Sequence, residues 1–153
     1  MSGPENTFRK GFCDALQGLF REHVYIQKNH GSSFSAGLPD LELVVYGNVG
    51  WYELKATKES RFNFASFTAL QMHTMKRIYL AGGRVCGLVL WGAAKRVTTV
   101  PWPVIEGLRG NGMVALADMS AFADVRIADV QAVKSSRAGV WDLLGMPGSC
   151  PFP

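Results

Sequence analysis

Cysteine is scarce in this sequence. Cys13, Cys86 and Cys150 are odd in number and far apart, which fits neither a disulfide framework nor the paired short spacings of a zinc site. A reduced, intracellular protein is the default expectation. No apolar run approaches the roughly 18 residues of a membrane span. The opening MSGPENTFRK carries Pro, Glu and Asn where a signal peptide needs an apolar stretch, so a cytoplasmic protein is expected. A phosphate-binding loop ending in Gly-Lys-Ser/Thr is missing, as is a glycine fingerprint after a strand, so no nucleoside triphosphate or dinucleotide is expected as a partner. His23, His30 and His73 have no metal-ligand spacing. Of these only His30, in a polar Asn-Gly-Ser stretch, lies where it could touch a ligand near a site, and an exposed loop histidine is the simpler reading.

What is present describes one folded unit. A chain of 153 residues has room for a single domain, and 48% hydrophobic against 18% charged residues excludes disorder. The 16 basic and 12 acidic residues leave a net charge of +4, which permits an anionic partner without forming a basic tail.

Phe8, Phe12, Leu16, Leu19 and Phe20 recur at helical spacing between Glu5 and Glu22, predicting an amphipathic first helix. Val24 and Ile26 lead through polar residues to Gly37-Leu38-Pro39-Asp40. Strands follow at 41–46 and 51–55, with 47–50 as the turn of a hairpin. A polar loop at 56–65, a helix over 67–80 stopped by Gly82-Gly83, and a buried strand at 84–91 complete a core of about 5–100. Beyond Ala93, 96–100 reads as a further strand closing that core, 103–108 as a short helix and 113–133 as mixed. The segment 101–153 as a whole reads as a C-terminal extension ending in an irregular tail, with Val140, Trp141, Leu143 and Leu144 able to pack back as an anchor.

The charges on this framework are unevenly placed. Asp40 begins one strand, and Glu53 and Lys55, two apart on the next, share one of its faces. Leu54, between them, points into the core while its carbonyl remains available at the strand edge. Two carboxylates brought together raise each other's pKa, and a hard divalent cation relieves that cost. Mg²⁺ takes oxygen ligands and keeps several waters, so two carboxylates, the Leu54 carbonyl and a phosphate oxygen suit it. Lys55 beside such a cation could orient or deprotonate water, or stabilise charge in the transition state. Against this, an isolated Glu-x-Lys is more often a solvated strand face.

The whole pattern is more specific than that tripeptide. Pro39-Asp40, twelve residues, Glu53-Leu54-Lys55, then a helix carrying Gln71 resembles the PD-(D/E)xK nuclease superfamily over about residues 5–91. It is most similar to the virus-type replication-repair nuclease domains and the Holliday junction resolvases. The resemblance implies an α/β, restriction-endonuclease-like core with a central mixed sheet flanked by helices. It implies Mg²⁺, with Mn²⁺ able to substitute, held by Asp40, Glu53 and the Leu54 carbonyl, and Lys55 as the catalytic lysine. It also implies Glu5 as an acidic residue of the first helix completing the site, and Gln71 contacting the phosphate or water near the metal. The expected activity is hydrolysis of DNA phosphodiester bonds, selective for branched DNA, by a homodimer, in the host cytoplasm if the chain is phage-encoded. A restriction-like endonuclease or exonuclease on linear DNA, or a DNA-binding module without turnover, are the alternatives. Lys58, Arg61, Lys76 and Arg77 are the expected phosphate-backbone contacts. Phe62, Phe64 and Phe67 are read as core before stacking platforms, and Cys13 and Cys86 as small buried hydrophobes.

Overall fold

A proline at the first helical position starts α1 (Pro4–Phe20), whose Phe12, Cys13, Leu16 and Phe20 form its buried stripe. The computed structural model describes residues 3–29 and 36–151; His30 lies outside them. A short 3-10 turn (21–23) leads into β1 (Val24–Lys28), followed by β2 (Leu41–Val45) and β3 (Asn48–Thr57).

The hairpin between β2 and β3 turns earlier than the sequence predicts. Its two central residues are Tyr46 and Gly47, at φ 50 and 79, and Val45 pairs with Asn48. Two consecutive positive φ values match the twist of a two-residue hairpin. Gly47 adopts one without cost. The strain at Tyr46 is offset as the Asn48 side-chain amide donates to the carbonyls of Val45 and Tyr46. Gly50, read as part of the turn, instead lies within β3.

β4 (Arg61–Asn63) and a 3-10 turn (64–66) occupy the second half of the segment expected to be a polar loop. α2 (Ala69–Leu80) then carries the chain back to β5 (Val85–Trp91), parallel to β3. β6 (Arg96–Pro101), α3 (Trp102–Leu108), β7 (Met113–Ala115), α4 (Leu116–Met119), β8 (Arg126–Asp129), α5 (Val130–Ser135) and α6 (Arg137–Leu143) follow. The main sheet has six strands in the order β1-β2-β3-β5-β6-β8 and is mixed, since only β3 and β5 are parallel; β4 and β7 form a separate pair. The chain is thus an α/β fold with helices on a mixed central sheet. No helix among the described residues is long and apolar enough to cross a membrane.

The sheet separates two cores. On one face Leu41, Leu43, Tyr52, Leu54 and Leu88 pack against α1, α5 and α6. On the other Val85, Val89, Trp91 and Val100 meet Phe62, Phe64, Phe67 and the buried sides of α2 and α3. Cys13 and Cys86 are buried and free, and burial pushes the Cys86 thiol up to about 12, which suits a small hydrophobe rather than a nucleophile.

The irregular tail is corrected over 137–143 only, and the expected anchor is present. Residues 137–143 form α6, and Val140, Trp141, Leu143 and Leu144 are all buried in the first core. The Tyr52 hydroxyl donates to the Leu144 carbonyl at 2.6 Å, and Trp141 Nε1 donates to the Gly148 carbonyl at 3.1 Å. Gly139 lies within this helix, while Gly145, Pro147, Gly148 and Pro151 follow it in a stretch without helix or strand. Trp141→Ala is therefore expected to cost about 3–5 kcal/mol of unfolding free energy in urea denaturation, the usual cost of deleting a buried aromatic. A loss below about 1 kcal/mol would mean that this helix contributes little to the core.

Candidate active site

The register of the β2–β3 hairpin assembles the acidic pair. Leu41 pairs with Tyr52, so one residue further back Asp40 comes opposite Glu53, on the same face of the sheet. β2 has not begun at that level, which leaves the Leu54 N–H without a strand partner. Asp40 Oδ2 accepts from it at 2.9 Å. In a strand, the N–H and C=O of one residue point to the same edge, so the Leu54 carbonyl shares the edge at which Asp40 sits.

Glu53 is 2% exposed. Burial, then the charge of Asp40 and a hydrogen bond between the two carboxyls, push its pKa up to about 9; Lys55 acts in the opposite direction, and Glu5 adds a small upward effect. Burial and the neighbouring Asp40 thus favour the protonated form of Glu53. That donor set fits a hard divalent cation: two carboxylates and an edge carbonyl, all oxygen, with the repulsion that a cation would replace already evident. Among the described residues no cluster of three or more His, Cys, Asp or Glu side chains is placed to hold a metal. The protein's own ligands would be few, and water and substrate would fill the remainder.

Lys55 follows Glu53 along the same face, 8% exposed, with its Nζ over the Phe67 ring at 5.3 Å from the centroid. Glu5 is exposed on the first turn of α1 and reaches Glu53 only through its charge. Gln71 is engaged in a capping box: its side-chain oxygen accepts from Thr68 N–H at 3.0 Å, and its own N–H donates to the Thr68 hydroxyl at 3.2 Å. Its oxygen therefore serves the start of α2.

The four expected phosphate-contacting cations fall into two groups. Lys58 and Arg61 are exposed just beyond the end of β3. Lys76 and Arg77 are exposed near the other end of the crossover, because α2 returns from the end of β3 towards the start of the parallel β5, where Gly83 sits between Ile78 and Trp51. Phe62, Phe64 and Phe67 are all buried. They are core, as read from the sequence, and not open stacking surfaces. His23 stacks on Tyr46 at 4.7 Å, and His73 is exposed on α2.

Arg9 is the residue that sequence reasoning missed. Its guanidinium lies 3.9 Å from Asp40 Oδ1, with the Arg9 side chain only 15% exposed, and it also donates to Asn6. The available signal was its spacing from Glu5, four residues along one helix, which places both on one face of α1. No protein-family model and no curated protein matches this chain.

Proposed function

We propose that the chain is a metal-dependent deoxyribonuclease of PD-(D/E)xK type, hydrolysing DNA phosphodiester bonds and preferring branched DNA. The observation that carries this reading is the buried Glu53 carboxyl set directly against Asp40, with Lys55 next on the same strand face. A stable fold gains nothing from burying two repelling carboxyls, whereas a cation site requires them. Asp40, Glu53 and the Leu54 carbonyl would hold Mg²⁺ or Mn²⁺, which when bound supplies the charge that polarises the phosphate and lowers the pKa of the attacking water.

The remaining work belongs to the protein. Glu53 gives up the proton it holds near neutral pH, so that both carboxylates act as anions. Leu54 N–H fixes the Asp40 carboxylate in orientation, and Arg9 limits its swing from the other side. Lys55 offsets the negative charge that builds on the phosphate oxygens in the transition state. Lys58 and Arg61 neutralise flanking phosphates and position the duplex without reading its sequence. A homodimer provides two sites related by a two-fold axis, as symmetric cutting of two strands requires.

The test is cleavage of a labelled four-way junction and a matched linear duplex, with Mg²⁺ and with EDTA. The expected result is junction cleavage that EDTA abolishes. Equal cutting of both substrates would move the assignment to a nuclease acting on linear DNA. Binding without cutting would make the protein a DNA-binding module and overturn the enzymatic reading.

A further inference from the structure

Lys55 is 8% exposed as a residue, and among the described residues its ammonium makes neither an ion pair nor a hydrogen bond. Its specific contact is the face of the Phe67 ring, at 5.3 Å from the centroid, within the roughly 6 Å over which a cation is attracted to an aromatic ring. A lysine has four rotatable bonds, so an ammonium meant to act at one point needs something to hold it.

Phe67 is itself held from every direction. Its ring is fully buried, stacked on Phe64 at 6.1 Å and edge-on to Phe62 at 6.2 Å. Its backbone lies between two caps: Asn63 accepts from Ala65 N–H at the start of the 3-10 turn, and Thr68 with Gln71 closes the capping box of α2. Phe67 N–H also donates to the Phe64 carbonyl. Beneath the ring lies Gly87, paired with Glu53 in the parallel ladder. A Cβ on Gly87 would stand 2.6 Å from Phe67 Cζ and 3.1 Å from Ile105 Cδ1. The absence of a side chain at position 87 is what lets the ring lie against the strand that carries Glu53 and Lys55.

We infer that Phe67 is the positioning residue of Lys55, an aromatic platform seated on Gly87 that holds the ammonium at the phosphate beside the carboxylate pair. The inference rests on the reading of Lys55 as the lysine that acts on DNA. It also gives the Thr68–Gln71 capping box a role in the site, through the backbone of Phe67.

The experiment compares the parent with Phe67→Leu, Phe67→Tyr and Gly87→Ala. The readouts are kcat and KM for junction cleavage in saturating Mg²⁺, and the rate of reductive methylation of Lys55 followed by mass spectrometry; circular dichroism melts select variants that fold. Phe67→Leu is expected to lower kcat by about 10²-fold, the scale of a misplacement of about 1 Å, with KM unchanged and Lys55 methylated severalfold faster. Phe67→Tyr adds its hydroxyl at Cζ, the ring atom that faces position 87, so it displaces the ring and should resemble Phe67→Leu. Gly87→Ala, which displaces the ring without removing it, should resemble Phe67→Leu in both readouts and keeps the test open if the leucine variant does not fold. Methylation of Lys55 at the parent's rate in the variants that displace or remove the ring would overturn the inference, whatever cleavage does. Faster methylation with unchanged kcat would show a contact without a positioning role and would also overturn it. A parent that cuts no DNA at all would instead overturn the nuclease reading, and the role assigned to Phe67 with it.

Discussion

Glu53→Gln is expected to abolish Mg²⁺-dependent cleavage, by on the order of 10³-fold or more, while making the metal-free protein more stable at alkaline pH. The two effects have one cause. In the folded chain burial and Asp40 raise the Glu53 pKa from 4.5 to about 9. The protonated form is favoured by the fold, so its contribution to stability is fully present below about 4.5 and is lost as the pH rises towards 9. In EDTA the parent's melting temperature should fall across this window, by about 5 °C or more if a few kcal/mol are involved. Gln reproduces the protonated carboxyl in shape and hydrogen bonding but cannot ionise, so the variant's melting temperature should stay flat. In Mg²⁺ the parent's loss should shrink, because the ionised pair then has a cation to hold. A thermal melt at several pH values, with and without Mg²⁺, reads all of this without reference to DNA. A flat profile for the parent would mean that Glu53 does not titrate against Asp40, and the metal reading would lose its electrostatic basis.

Lys55→Met carries the second large effect. Methionine retains most of the length and apolar stem of lysine, so the packing on Phe67 survives while the charge is removed. Cleavage should fall by about 10²–10³-fold in kcat, with KM for the junction close to the parent's, if Lys58 and Arg61 rather than Lys55 carry the binding to the backbone, as proposed. Steady-state kinetics on a single labelled junction decide it. A rise in KM with kcat preserved would make Lys55 a DNA-binding residue and transfer the charge-stabilising role elsewhere, with Arg9 the nearest cation to the acidic pair. Removing the charge also takes away the group that opposes the upward shift of Glu53, so the pH-dependent loss of stability in EDTA should extend to higher pH in this variant.

Much of the local structure was legible because its signals are local. The apolar stripe of α1, the stop of α2 at Gly82-Gly83 and the continuous apolar run of β5 depend on residues within a few positions of one another. So does the shared face of Glu53 and Lys55, which follows from strand alternation alone. The segments that were not legible depend on distant partners. β4 forms because Arg61–Asn63 pairs with Met113–Ala115, more than forty residues away, and a polar stretch read alone gives no hint of it. α5 and α6 looked like a weakly patterned tail, because each is short and its apolar residues acquire meaning only against α1 and the underside of the sheet.

By itself, then, the sequence determined α1, the strand pair β2 and β3, α2 and β5 in that order, the three residues Asp40, Glu53 and Lys55, and their distribution over two adjacent strands. Their meeting was decided by the turn. With the turn at 47–50, Tyr46 would face Trp51 and Asp40 would fall opposite Thr57; with Tyr46 and Gly47 as the turn, Leu41 pairs with Tyr52 and Asp40 comes level with Glu53. Register across a hairpin follows from backbone dihedrals that composition does not specify. The same holds for Arg9 beside Asp40 and for Phe67 over Gly87. Each joins residues from separate elements, and only the packing of α1 and the α2 crossover onto a finished sheet brings them within reach.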